Sequence, residues 1–235
     1  MKRVISIDAD SLLYKSCYRH QEPFNLELAY MELMGEVAKI KTKVFDLFPY
    51  EKGDEVIPII VFSPKISFRN EMYPEYKGTR KKASIEGIGE LKQLTRDRLG
   101  DLVLYVEGVE ADDIVNYMAR THNTLVAAID KDVINANPTS CLNYNKQTWS
   151  TPKPQFQIEK WYLIQALMGD AEDNIKGAKG IGKTKATKIV EEMIVPEFAG
   201  IVEYYSDYYE ALMNYRLVRM DQFDGTRMQL WEEPK

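Results

Sequence analysis

Through the first half of the chain, short runs of Val, Ile and Leu alternate with longer stretches in which apolar residues recur every three or four positions. Residues 4–7, 56–62, 102–106 and 125–129 are apolar, rich in β-branched side chains, and each gives way to polar residues. That is the pattern of strands buried on both faces. Residues 26–48, 85–99 and 111–122 carry the helical spacing instead. Strand and helix in alternation predict an α/β fold whose mostly parallel central sheet is flanked by helices on both faces. Sites in such sheets lie beyond the carboxyl ends of the strands.

The pattern changes at residues 151–154, where Pro152 and Pro154 mark a linker. Beyond it, residues 158–168, 183–193 and 204–218 read as helices, and residues 177–182 as a glycine-rich turn. The expected organisation is therefore an α/β domain over residues 1–153 and a helical subdomain over 154–235. No internal repeat or low-complexity tract interrupts it.

With 235 residues and 45% hydrophobic composition, the chain can bury one sizeable core. No apolar run approaches the roughly 18 residues that span a bilayer, so the expectation is a soluble protein without a signal peptide or membrane partner. Cys17 and Cys141 are the only cysteines, too few for a disulfide framework or a cysteine metal site. A reducing cytoplasm is the simplest home, the host cytoplasm if the chain is phage-encoded. The net charge is -5, which taken alone argues against a polyanionic partner. Distribution alters that inference, because bases concentrate at residues 77–82 and 176–188 while acids fall in short motifs.

Four separated segments place carboxylates where a strand ends or a helix begins. They hold Asp8 and Asp10, then Glu110, Asp112 and Asp113, then Asp130 and Asp132, and finally Asp170 and Asp173. Parallel strands deliver their carboxyl ends to one edge, so the first three groups should converge. Two bare carboxylates about 4 Å apart repel by roughly 4 kcal/mol at an effective dielectric near 20, a repulsion relieved by protons or by cations. Oxygen donors without His or Cys favour Mg²⁺ or Mn²⁺ over Zn²⁺, and His20 and His122 lie outside these motifs. Spacing adds support: Glu110 with Asp113, and Asp170 with Asp173, would share a helix face, and Asp130 with Asp132 would point the same way on extended backbone. Helix capping accounts for any one of these acids, Asp10 and Asp112 included. It does not account for paired acids in successive segments.

In chain order, FRNEMYPEYKGTRK (68–81), EGVEADDIV (107–115), IDKDV (129–133) and LMGDAEDNIKGAKGIG (167–182) resemble four signature motifs of the 5′→3′ exonuclease and flap endonuclease family. That family has a PIN-like α/β nuclease fold and a C-terminal helix-hairpin-helix element. The resemblance implies metal ligands at Asp8, Glu110, Asp112, Asp113, Asp130, Asp132, Asp170 and Asp173, and two Mg²⁺ or Mn²⁺ ions. It makes residues 63–84 a helical arch, with Lys77 and Arg80 steering the scissile phosphate beside Asp8, Asp113 and Asp130, and Tyr76 stacking on a base. Arg69, Lys81 and Lys82 are further phosphate contacts. Gly177, Gly180 and Gly182, followed by Lys183 and Lys185, correspond to the hairpin that approaches duplex DNA, where K⁺ also binds.

The implied activity is two-metal hydrolysis of DNA phosphodiesters near 5′ ends, flaps or nicks, in replication or repair, by a monomer. The RNA strand of a hybrid is a further substrate class. One family acid is absent: after the second strand this chain reads Ser63-Pro64. Asp10 either compensates for it or caps the following helix, and capping is the favoured reading. The competing functions are a DNA-structure-binding protein without catalysis and a PIN-type endoribonuclease.

Overall fold

The computed structural model describes residues 1–80 and 85–234. Among them, β1 (Lys2–Asp8), β2 (Glu55–Val61), β3 (Val103–Leu104), β4 (Leu125–Ala127), β5 (Cys141–Asn143) and β6 (Thr148–Ser150) form one sheet. Its order is β3-β2-β1-β4-β5-β6, parallel throughout except for the antiparallel pair of β5 and β6. The helices of the first half are α1 (Asp10–Arg19), α2 (Leu26–Lys43), α3 (Phe68–Met72), α4 (Ile88–Leu99), α5 (Ala111–His122) and α6 (Lys131–Asn135). Those of the second half are α7 (Gln155–Met168), α8 (Lys183–Glu192), α9 (Ala199–Val202) and α10 (Tyr208–Val218).

Two cores flank the sheet. On one face, Ile5, Ile7 and Ile60 pack with Leu12, Leu33, Val37 and Leu91 from α1, α2 and α4. On the other, Val61 and Val126 pack with Val115, Tyr162, Leu163 and Tyr215 from α5, α7 and α10. Adjacent residues Ile60 and Val61 enter opposite cores because side chains alternate along a strand. The C-terminal helices thus share a core with the sheet.

The four expected strands are present, although β3 is only two residues long. The β5–β6 hairpin was not expected, since CLNYNKQTWS contains no apolar run of strand length. Helix α6 was also not expected; α1 stands where a helix after Asp10 was anticipated without bounds, and α3 falls within the expected helical arch. The start of α6 corrects the extended reading of residues 130–132: Asp130 is its N-cap and Asp132 lies in its first turn.

Chain direction across the sheet reverses at β1, which has β2 on one side and β4 on the other. Such a reversal opens a crevice beyond the carboxyl ends of the two strands. Asp8 ends β1 there, and the segment leaving β4 delivers Asp130.

Candidate active site

A cavity of about 380 Å³ occupies this crevice, and Asp8, Asp112, Asp130, Asp132, Asp170 and Asp173 line it together with Glu110. Each acid is placed by an element boundary. Asp8 Oδ1 accepts from the backbone N–H of Asp10 at 3.3 Å, where β1 hands over to α1. Glu110 is the extended residue before α5, and Asp112 sits in that helix's first turn. Asp130 Oδ1 accepts from the Asp132 N–H at 2.7 Å, capping α6. Asp170 follows the left-handed Gly169 that ends α7, and its Oδ1 accepts from the Glu172 N–H at 2.8 Å.

Burial and mutual repulsion show in the acidities. Burial, then Asp10 and Asp130, pushes the Asp8 carboxyl up to about 7. Burial and Asp130 likewise push Asp132 up to about 7. Asp112 is driven well above the ordinary carboxylate value by burial and by Asp8 and Asp130. Burial acts the same way on Glu110, but Arg69 and Lys77 outweigh it and hold that group below its usual value.

Cations of the chain itself close over this cavity. The residue 73–80 segment folds back so that the Lys77 N–H donates to the Asp173 carbonyl at 2.9 Å, with Lys77 at a φ of +56°. Lys77 Nζ donates to Glu110 Oε1 at 2.7 Å, Arg80 pairs with Asp173, and Lys131 Nζ reaches Asp170 Oδ2 at 2.9 Å. Burial disfavours the Lys77 ammonium, yet Glu110, Asp173 and Asp112 prevail and raise its pKa above the usual lysine value.

The donor chemistry suits a hard divalent cation, since the lining offers carboxylate oxygens and no His or Cys. Among the described residues, no three His, Cys, Asp or Glu side chains are gathered tightly enough to enclose an ion as they stand.

The 5′-3′ exonuclease, N-terminal resolvase-like domain family matches residues 3–161, more than half of the chain. The chain belongs to this exonuclease family. A 5′-3′ exonuclease of Buchnera aphidicola subsp. Schizaphis graminum is 28% identical over 198 residues, covering 77% of this chain and 67% of that protein. The thermostable DNA polymerase I of Thermus aquaticus is 33% identical over 159 residues, covering 60% of this chain but only 18% of the polymerase. In fold, the chain resembles the flap endonuclease of bacteriophage T5 crystallised with DNA and metal ions, with a TM-score of 0.63 at 17% identity over 94% of this chain and 90% of that one.

Within this exonuclease-family chain, several expected residues take other positions. Asp113 is fully buried and is not among the cavity-lining residues, because both its oxygens face the Arg69 guanidinium at 2.6 and 2.9 Å. Arg69 is no free phosphate contact: it is 3% exposed and also donates to Glu110 and to the carbonyls of Leu217 and Arg219. Tyr76 has no exposed ring to stack on a base; it is buried, with its hydroxyl 3.0 Å from both Glu110 Oε2 and Asp173 Oδ2. Asp10 does not cap α1, since it is the first residue of that helix and the N-cap residue is Ala9. Its oxygens accept instead from the Ser63 N–H at 3.2 and 3.3 Å. Asp112 makes no cap either. Glu110 and Asp113 do meet on one side, since both accept from Arg69 Nη1, at 2.9 and 2.6 Å, whereas Asp170 and Asp173 lie in the loop after α7 rather than on a helix.

The glycine turn divides by role. A Cβ on Gly177 would stand 2.4 Å from the Gly169 nitrogen, so this glycine serves close packing of the chain on itself. Gly180, at a φ of +73°, and Gly182, which precedes α8, have open space around them. Lys183 and Lys185 are exposed in the first turn of α8. Lys81 and Lys82 lie outside the described residues. Among the lining residues that the sequence did not single out are Tyr14 and Gln165. Tyr14 had a findable signal, an aromatic one helical turn beyond Asp10. Among the described residues no helix is long and apolar enough to cross a membrane.

Proposed function

We propose that this 5′-3′ exonuclease hydrolyses DNA phosphodiesters at 5′ ends, flaps and nicks, with Asp8, Asp112, Asp130 and Asp132 holding two Mg²⁺ or Mn²⁺ ions. The carrying observation is the convergence of carboxylates from separate chain segments on one cavity that Lys77 and Arg80 also line. Bound there, the cations supply Lewis acidity, to activate water and to offset charge on the leaving oxygen. Glu110, Asp170 and Asp173 take the outer positions, where chain cations already pair with them.

The chain's own groups define the rest of the reaction. Lys77 and Arg80 lie beside the acids and offset charge on the phosphate being cleaved. Tyr14, half exposed at the cavity, offers a face for an unpaired base. Gly180 and Gly182 let a phosphate backbone approach α8, whose N-terminal end and exposed Lys183 and Lys185 favour anions; K⁺ at this hairpin would strengthen the same contact. Residues 154–235 thereby act as the duplex-gripping part and residues 1–153 as the cleaving part. The T5 endonuclease crystallised with DNA and metal ions has a similar fold.

A Mg²⁺ titration on 5′-labelled flap DNA, the same flap in RNA, and an RNA–DNA hybrid tests this reading. Cleavage of the DNA flap, abolished in Asp130→Asn/Asp132→Asn, is expected. Tight binding with no cleavage at any Mg²⁺ concentration, or cleavage of the RNA flap alone, would overturn it.

A further inference from the structure

Gln165 lies in the last turn of α7 and is 2% exposed, although its neighbours in the cavity lining are acids. Its Nε2 donates to Asp132 Oδ1 at 2.6 Å. Its Oε1 is buried and has no hydrogen-bond partner among the described residues. Turning the amide over would set oxygen against a carboxylate, so the Asp132 contact fixes which end is which. A buried carbonyl oxygen without a donor is costly to a fold, and Gln165 sits where Met or Leu would fill the same space without that cost. The residue therefore points to a partner that arrives from outside the chain.

The surroundings define that partner's chemistry. The cavity holds a surplus of negative charge, and Asp132 meets it through α6 while Gln165 meets it through α7. A neutral amide oxygen suits a hard cation or its water shell and adds no charge to the crowded acids. Mg²⁺ and Mn²⁺ usually keep part of their hydration shell when held by carboxylates. We propose that Gln165 is a positioning residue for a hydrated divalent cation: its amide N–H fixes the Asp132 carboxylate, and its carbonyl oxygen accepts a hydrogen bond from the cation's water. This inference rests on the reading of Asp132 as a residue that holds the cation.

The test is Mn²⁺ binding to the full chain without DNA, followed by electron paramagnetic resonance and calorimetry at one pH. Residues supporting a ligand from behind typically contribute about 10- to 100-fold in metal affinity. Gln165→Met is expected to weaken Mn²⁺ binding at least about 10-fold, with the metal-free melting temperature held within a few degrees. In an Asp132→Asn background the same substitution should add almost nothing, because the two side chains act as a unit. Wild-type affinity in Gln165→Met, or an equal loss with and without Asp132, overturns the proposal while leaving Asp132 its role. Wild-type affinity in Asp132→Asn overturns the reading of Asp132 and the proposal with it. Gln165→Leu serves as the second variant, and failure of both to fold would overturn the proposal by showing a structural strut.

Discussion

Arg69 and Asp113 face each other as a buried fork, Nη1 to Oδ2 at 2.6 Å and Nη2 to Oδ1 at 2.9 Å. The remaining donors of Arg69 reach Glu110 Oε2 at 2.9 Å and the Leu217 and Arg219 carbonyls at 2.8 Å. One side chain thus ties α3 to the start of α5 and to the end of α10. Removing one member of a buried pair leaves an unpaired charge and costs about 3–5 kcal/mol. Arg69→Met should lose that much stability in urea unfolding, and Arg69→Lys should not restore it, since an ammonium cannot form the fork. A variant as stable as the parent, with a weaker salt dependence of DNA binding, would return Arg69 to the phosphate contacts.

Lys77 has a different position, partly exposed and paired with a cavity acid at 2.7 Å. If it offsets charge on the reacting phosphate, its removal should act on cleavage far more than on binding. Lys77→Met is expected to slow single-turnover cleavage of a 5′ flap by about 10²- to 10³-fold. Flap affinity measured without divalent cation should change by only a few-fold. Equal losses in both would make Lys77 an anchor for the strand.

The acids and the strand ends were legible because period-two and period-3.6 patterns bury their apolar residues in the two cores. Helix α1 was anticipated only as an unbounded helix after Asp10, although Leu12, Leu13, Ser16 and Cys17 form a buried stripe, because it follows β1 after a single residue and hides behind the strand signal. The fork between Arg69 and Asp113 joins residues 44 positions apart, and no local spacing encodes such a pair. Arg69, Lys77 and Arg80 read alike as loop bases in the sequence. Only the fold distinguishes them: all three line the cavity, but Arg69 is buried in its fork with Asp113 while Lys77 and Arg80 keep exposure there. Gln165 was invisible for a related reason: a lone glutamine on an apolar helix carries no motif.

The acidities of Asp8 and Asp132 make metal-free stability depend on pH. Both carboxyls are raised from 3.8 to about 7 in the fold. Between those values the native state keeps protons that the unfolded chain has released, so stability falls as pH rises through that window. Without divalent cation, the melting temperature should be lower at about pH 8 than at about pH 5.5, and Asp132→Asn should flatten the profile. Mg²⁺ should raise the melting temperature more at the higher pH, where no proton competes for the ligands. Equal protection at both values would show that these carboxylates are not the ones that meet the ion.

Asp10 bears on the missing family acid. Ser63 or Pro64 stands where the resemblance places a carboxylate, and the Ser63 hydroxyl is already committed to the Ala111 N–H at 2.9 Å. Asp10 reaches the same spot from α1, accepting from the Ser63 N–H while Lys92 Nζ lies 3.6 Å from its Oδ1. With Asp8 two residues away, Asp10 brings a carboxylate to the cavity from the neighbouring strand end. Asp10→Asn is expected to move the midpoint of Mg²⁺ activation up by about 10-fold. An unchanged curve would leave Asp10 as an anchor for the end of β2 alone.

The hairpin before α8 should bind through charge and leave the chemistry untouched. Lys183 and Lys185 are exposed beside Gly182, on the helix's positive end. Each phosphate neutralised in duplex DNA releases condensed counterions, contributing about 0.9 to the slope of log affinity against log salt. Lys183→Ala/Lys185→Ala should therefore weaken duplex binding and reduce that slope by about 1.8, equally for unrelated sequences because backbone contacts do not read bases. The single-turnover rate at saturating enzyme should remain that of the parent, since neither lysine lines the acid cavity. If the slope held while the saturated rate fell, the duplex would have to be gripped elsewhere, and α8 would owe its lysines to solubility.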